Sequence, residues 1–496
     1  MSETTDASVL ILTSRLRPGL DGGHTVSTLQ RAKLLSSSGL PVTLVTVDLH
    51  PNYQPFVDEF QRMGLATDKT KIRNFLEEVR RSPEILRKAA QPTIENTNSL
   101  KEAIADEVEL DSQGVAWRQV SRFSDGTTAY TDFFDVNGSL LFRLPFMDQV
   151  DWWRAPITID VFESSPGDNK NPTRVGGLAG FGALYRAWWD VVVLQTRELH
   201  PAYPIVAIAE ARQVGELFLG YKGVYLVHTV HSSHTLAPHN WDSPMDKIWS
   251  EWLSGANKYD AVVWLSEQQS LDVEKRLGKT ELVSFVIPNP PTVPKDSESI
   301  LDAIASGNSM KPLRAIMITR LVSVKRVDHT IRAWQKVVQS LPEARLDIYG
   351  DGPEKDQLQK LIHSLGLEDK VTLHGYLENA REQARTAICH ILTSSYEGQS
   401  LAIAEAMALG CPSISYEISY GPPEMISDGL SGLLVPNGDI DALAGAITRV
   451  LGDPKLASKL SAEAIKWAKS AGPERTLESW QKLLTEITSS APRAGL

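Results

Sequence analysis

Short unbroken apolar runs alternate along this chain with longer stretches in which apolar residues recur every third or fourth position. SVLILT, Ser8 to Thr13, is the first such run: long enough for a strand buried on both faces and too short for a helix. A loop ending in Gly22-Gly23 leads to a helical pattern from about His24 to Leu35, with Val26, Leu29, Ala32 and Leu35 on one face. Gly39 stops it, and Pro41 to Val47 predicts a second strand. The α/β pattern returns with Ala187 to Gln195 and Pro204 to Ala209, a helix from Glu210 to Leu219, and strands at Gly223 to Val230, Asp260 to Leu265 and Val283 to Pro291. Ser266 has the character of a helix cap. It starts again at Leu313, with strands RAIMIT, RLDIYG and KVTLHG and helices Val327 to Ser340 and Glu354 to Leu365. Strands alternating with helices predict doubly wound α/β domains.

Residues from about 52 to 176 break the alternation. Residues 70–106 carry charged helical segments such as IRNFLEEVRR. Trp117 to Phe146 reads as short alternating strands interrupted at Asp125-Gly126 and Asn137-Gly138, both strong hairpin turns. An antiparallel meander is foreign to a parallel domain, so it is expected to be an insertion, followed by a loop over 164–173. The expected organisation is an N-terminal Rossmann-like domain from 1–65 and 177–295, a β-rich insertion over 66–176, and a C-terminal domain over 296–472. A helix over 473–496 should cross back to the first domain. The inter-domain linker is placed at about 292–310.

At 496 residues, with 42% hydrophobic and 22% charged residues, the chain is that of a soluble protein of two or three domains. The net charge of −11 argues against a nucleic-acid partner. Cys389 and Cys411 are the only cysteines and supply no disulfide framework, so a reducing, cytoplasmic compartment is expected. The acidic start and short apolar run of MSETTDASVLILTSRL predict a strand and not a signal peptide.

The chemistry concentrates between Leu392 and Leu434. Ile388 to Ser394 predicts a buried strand, Ser395 to Gln399 a polar loop containing Gly398, and Ser400 to Leu409 a helix ending at Gly410. A strand, a glycine-bearing loop and a helix N-terminus form an anion site, because free N–H groups and the helix dipole both favour negative charge. Glu397 lies in the loop and Glu405 about a turn into the helix. Their carboxylates suit the vicinal hydroxyls of sugars. Arg320 and Lys325, in TRLVSVKRVDH, sit at a strand end and helix start, where paired cations could meet a diphosphate. GVYLVHTV runs as a strand into His231, Ser232, Ser233 and His234, the sheet edge at which ligands bind. The spacing of His228, His231 and His234 superficially suggests a metal cluster, but strand residues alternate faces and no fourth ligand is apparent.

The Glu-x7-Glu pair in its strand–loop–helix, the downstream Asp428-Gly429-Leu430-Ser431-Gly432 and Arg320-Leu-x-x-x-Lys325 resemble family 4 retaining glycosyltransferases of the GT-B fold. Arg326 stands where that family commonly has glycine. SYEISYGPPEMI, Ser415 to Ile426, looks closer to the Tyr-Gly-Pro form of the teichoic-acid poly(glycerol-phosphate) and poly(ribitol-phosphate) glycosyltransferases, and of relatives that O-glycosylate serine-rich adhesins. The resemblance implies two Rossmann-like domains facing a cleft and a UDP-sugar donor, with no cofactor and no metal. It implies that Glu405 binds the ribose and Glu397 the hexose. The Gln399, Ser400 and Leu401 amides beside Gly398 meet sugar and β-phosphate, Arg320 and Lys325 stabilise the leaving diphosphate, and Gly22-Gly23 faces it. His231 matches the active-site histidine, with His228 and His234 as rivals.

The leading expectation is transfer of glucose or N-acetylglucosamine to a hydroxyl of a polyol-phosphate polymer or protein. A disaccharide synthase or phosphorylase on the same scaffold and a non-catalytic acceptor-binding subunit are the alternatives. Peripheral membrane association and homo-oligomerisation through the insertion are expected by the same resemblance.

Overall fold

The computed structural model describes residues 6–19, 22–95, 103–147, 151–164, 172–278, 281–305 and 311–493. The acidic residues 1–5 and most of the loop expected over 164–173 lie outside these. Three sheets carry the fold. In the first, β1 (Ser8–Thr13) and β2 (Val42–Thr46) pair in parallel with the Gly23–Ser37 helix as crossover. β3 (Lys71–Asn74) adds in parallel to β2, so this sheet extends past residue 65, where the sequence-based boundary fell. An edge strand reading Lys-Ile-Arg-Asn lacks the apolar run that marks a buried one. It hides at the front of IRNFLEEVRR, whose helix starts only at Phe75, where Asn74 caps it by accepting from the Glu77 N–H at 2.9 Å.

The insertion is a six-stranded antiparallel sheet in chain order: β4 (Ile104–Leu110), β5 (Ala116–Arg122), β6 (Thr128–Phe134), β7 (Leu140–Pro145), β8 (Thr158–Glu163) and β9 (Thr173–Ala179). Gly126 and Gly138 hold the β5–β6 and β6–β7 turns at φ of 84° and 77°. Trp117, Phe133 and Phe142 pack in one apolar cluster with Tyr185 and Trp188 of the Gly180–Leu199 helix and with Leu10 and Leu12 of β1. The inserted sheet thus shares its core with the first parallel sheet. The apolar stretch Ala187 to Gln195 lies inside that long helix.

β10 (Ile205–Ala209), β11 (Tyr225–Val230), β12 (Ala261–Trp264) and β13 (Ser284–Val286) complete a seven-stranded parallel sheet of order β13-β12-β11-β10-β1-β2-β3. The expected linker contains a helix, Ser297–Ala305. The second parallel sheet has the order β16-β15-β14-β17-β18-β19, from β14 (Arg314–Ile318), β15 (Arg345–Tyr349), β16 (Val371–Gly375), β17 (Cys389–Leu392), β18 (Ser413–Glu417) and β19 (Gly432–Pro436). The final helix, Pro473–Thr488, buries Trp480, Leu483, Leu484 and Ile487 in the cluster that holds Val9 and Ile11 of β1. Strand order reverses beside β1 and β14, and the carboxyl ends of β1, β10, β11, β14, β15 and β17 meet across a cleft, the ligand-binding place of open α/β sheets. Two parallel α/β sheets facing one cleft make a GT-B fold. Among the described residues no helix is long and apolar enough to cross a membrane.

Candidate active site

The cleft holds a cavity of about 1060 Å³ walled by both domains. Gly22, Gly23 and His231 face it from the first, and Arg320, Lys325, Glu397 and Glu405 from the second. The Glu397 loop follows from its strand and its helix. β17 is buried throughout, so the chain emerges from the sheet at Thr393, and Ser400 caps the Leu401–Ala408 helix by accepting from the Ile403 N–H at 3.4 Å. The helix N-terminus points its free N–H groups at the cavity, which Gln399, Ser400 and Leu401 also line.

Lys325 and Glu397 are bonded to each other. Lys325 Nζ donates to Glu397 Oε1 at 2.6 Å, and Ser394 Oγ donates to the same oxygen at 2.6 Å. Arg320 is exposed to the cavity and has no partner for its guanidinium among the described residues. Arg326 occupies a left-handed conformation, φ 45° and ψ 48°, that favours glycine. Its side chain compensates, donating to the Thr393 carbonyl at 2.8 Å and the Ser394 carbonyl at 2.6 Å and lying 4.8 Å from the Tyr416 ring. It thereby ties the Lys325 turn to the strand that carries Glu397. Glu405 is largely buried with no hydrogen-bond partner for its carboxyl among the described residues, and burial pushes its pKa up.

The three histidines diverge. His231 lines the cavity. His228 is buried, 4.9 Å from the Trp252 ring, and burial lowers its pKa to about 3. His234 is buried beside Gln269 and 6.1 Å from the Tyr420 ring, and burial lowers its pKa to about 4. Among the described residues no group of three or more His, Cys, Asp or Glu could hold a metal ion.

Contacts across the cleft press the domains together. A Cβ on Gly398 would lie 2.4 Å from the His231 carbonyl oxygen. One on Gly23 would meet Leu401 at 3.4 Å. The Gln399 amide accepts from the Asn289 N–H at 2.7 Å and donates to its carbonyl at 2.9 Å.

Sequence reasoning missed Glu210, Arg31 and Asn289. Glu210 is expected at a helix start, but that helix begins at Arg212 and Glu210 stands directly after β10. Its carboxylate joins Arg31 and, at 2.6 Å, His231 Nε2. An acidic residue directly after the apolar run IVAIA was the available signal.

Residues 302–467 match the family model described as Glycosyl transferases group 1. The exopolysaccharide phosphotransferase of Streptomyces coelicolor is 35% identical over 231 residues, 46% of this chain and 24% of that protein. The poly(glycerol-phosphate) alpha-glucosyltransferase of Bacillus subtilis is 31% identical over 228 residues, 46% of this chain and 33% of that protein. The matched segments thus span only a quarter to a third of these two relatives. The poly(ribitol-phosphate) alpha-N-acetylglucosaminyltransferase of Staphylococcus aureus is 24% identical over 506 residues, 93% of this chain and 96% of that protein. A crystal structure of an S. aureus TarM mutant, in complex with UDP, alpha-GlcNAc-glycerol and fondaparinux, superposes with a TM-score of 0.69 at 21% identity. It covers 96% of this chain and 99% of that one, so the two share a fold. Residues 302–467 are therefore a group 1 glycosyltransferase domain, set in a chain with the GT-B fold.

Proposed function

We propose that this chain is a retaining hexosyltransferase that moves glucose or N-acetylglucosamine from a UDP-sugar to a hydroxyl of a polyol-phosphate polymer or of a protein. The observation that carries the reading is the convergence of Arg320, Lys325, Glu397, Glu405 and the capped Leu401–Ala408 helix on one cavity. The donor pyrophosphate lies between the two cations and the helix N-terminus, which offset the charge that builds on the leaving UDP without calling on a divalent metal. Glu405 accepts from the ribose hydroxyls and Glu397 from the hexose. The acceptor hydroxyl attacks the anomeric carbon on the face that UDP leaves. Its proton passes to the departing phosphate oxygen, so the anomeric configuration is kept. The full-length likeness to a poly(ribitol-phosphate) N-acetylglucosaminyltransferase supports a polyol-phosphate acceptor, and UDP in the TarM complex supports a uridine nucleotide donor.

The same reading implies a cytoplasmic enzyme in peripheral contact with a membrane, and self-association through the insertion. The outer edge strand β4 supports the last, since Ile104, Val108 and Leu110 are exposed along it.

The test is a donor panel of UDP-glucose, UDP-N-acetylglucosamine and UDP-galactose. Each is offered with poly(glycerol phosphate), poly(ribitol phosphate) or a serine-rich peptide, with and without EDTA. Acceptor-dependent UDP release with an α-linked product is expected. Release of UMP, a β-linked product, or no turnover with any pair would overturn the reading.

A further inference from the structure

Behind the cavity wall lies a charged pair with almost no contact with water. The Glu210 side chain is 0% exposed and that of Arg31, from the Gly23–Ser37 helix, 3%. Arg31 Nη1 donates to Glu210 Oε1, and Arg31 Nη2 donates to Asn289 Oδ1 at 2.9 Å. The guanidinium also lies 5.0 Å from the Trp480 ring. The second carboxylate oxygen, Oε2, meets His231 Nε2 at 2.6 Å. Two charges removed from water cost more than an apolar pair of the same volume would, so a pair kept here is poor evidence of stabilisation and points to orientation.

We propose that Glu210, anchored by Arg31, is a positioning residue that fixes His231 as the Nε2–H tautomer and leaves Nδ1 for a hydroxyl of the donor sugar. The proposal rests on the transferase reading above and assigns the histidine its orientation within it. Burial alone would raise the Glu210 pKa, but Arg31 and His231 outweigh it and hold the carboxyl at about 2. At neutral pH the carboxylate has no proton to give, so the hydrogen of the 2.6 Å contact comes from the ring. In the neutral ring the second nitrogen is then set by the first, as wherever a carboxylate orients an imidazole. The titratable groups against the ring are Glu210 just after β10, His24 from the Gly23–Ser37 helix with its ring 4.9 Å away, and His228 on the strand that precedes His231; Arg31 acts through Glu210. The array is also tied to the donor wall, because the Asn289 backbone is held by Gln399.

The test is Glu210→Gln in the full chain. A glutamine can offer Nε2 of His231 either a donor or an acceptor, so the tautomer is released with little change of shape. Turnover should fall about 100-fold, less than the loss seen when a wrong tautomer disables a general base, while donor KM stays within about twofold. Nitrogen-15 spectra of the His231 ring should show Nε2–H alone in the wild type and a mixture in the variant. Because Glu210→Gln leaves Arg31 unpaired, Arg31→Met/Glu210→Gln removes both charges and controls for folding. An Nδ1–H tautomer in the wild type overturns the proposal, and this readout needs neither variant folding nor turnover. Unchanged turnover and tautomer in a folded Glu210→Gln overturn it while leaving the transferase reading intact. A wild type that transfers no sugar yet shows the fixed tautomer sinks the transferase reading alone.

Discussion

The Glu424 carboxylate, in the second domain, accepts a hydrogen bond from the Glu267 backbone N–H of the first at 2.8 Å, capping the Glu267–Leu277 helix across the cleft. It also accepts from the Gln268 N–H at 3.2 Å and from the Ser266 hydroxyl. Tyr420 Oη donates to Asp272 of the same helix at 2.9 Å, and Ser419 Oγ donates to the His239 carbonyl at 2.5 Å. The Tyr-Gly-Pro segment is thus a clasp between the domains. Glu424→Ala should weaken closure by about 1 kcal/mol, the value of a helix cap, or roughly fivefold in the closed population. Small-angle scattering should show a larger radius of gyration for the variant, with donor KM raised and far-UV circular dichroism unchanged. A radius and KM equal to the wild type would remove the clasp.

Lys325 bonds Glu397 in the free protein, and in the proposed mechanism it also meets a donor phosphate. Arg320→Ala and Lys325→Ala should each lower kcat by about 10²–10³, as losing an electrostatic stabiliser of a leaving group does, with the fold intact. The direct 2.6 Å contact adds a sharper expectation. Lys325→Met and Glu397→Gln should be strongly non-additive in a double-mutant cycle on kcat/KM. Additive losses would mean that the two side chains act on the substrate independently.

Gly398 has room for no side chain because another domain's backbone stands there. A Cβ would sit 2.4 Å from the His231 carbonyl oxygen and 3.1 Å from the Ser232 nitrogen. The obstacle is backbone and cannot rotate away, so Gly398→Ala should hold the cleft open by about an ångström. A misplacement of that size costs on the order of 10²-fold in rate, read here in kcat/KM. Thermal unfolding should change little, since the apolar clusters within each domain are untouched. Wild-type kcat/KM in this variant would show that catalysis does not need this contact.

Much of this was legible in the sequence where cause and effect are close along the chain. Buried parallel strands such as β1 and β12 announce themselves as apolar runs, and the glycine turns of β5–β6–β7 as hairpins. Glu397 and Glu405 fall on one loop and helix by the strand–loop–helix pattern around them. β3 escaped because an edge strand with polar residues has no apolar signature. The role of Glu210 is hidden because it lies in Arg31, 179 residues away, and that of Glu424 because it caps a helix 157 residues distant. Such pairings arise only when the sheets are wound and the cleft is closed.

The edge strand β4 exposes Ile104, Val108 and Leu110 at 74%, 49% and 60%, beside a ladder with no partner on its outer side among the described residues. Apolar edge residues join chains unless charge blocks them, and here the intervening Asp106 and Glu109 are paired with Arg122 and Arg118 of β5. Val108→Lys with Leu110→Lys should therefore lower the mass in solution, measured by light scattering, without lowering UDP release. Equal masses for variant and wild type would remove self-association through β4.

Glu405 combines a raised pKa with a largely buried carboxyl that has no hydrogen-bond partner among the described residues, which gives two linked effects of opposite sign. In the free protein burial disfavours the charged form, so folding stability from this group is full at low pH and is lost as pH rises through its raised pKa. Glu405→Gln should accordingly raise the melting temperature at pH 8, with the gain fading towards pH 4. In the proposed mechanism ribose binding needs the carboxylate, so nucleoside affinity should run the other way, full at pH 8 and falling with acid at a higher pH than an ordinary glutamate would give. Uridine is the probe, because it lacks the phosphate whose ionisation would overlap. Calorimetry between pH 4 and 8 should show this dependence in the wild type and a weak, flat affinity in Glu405→Gln. A variant that binds uridine as the wild type does would detach Glu405 from the ribose, whatever its effect on melting.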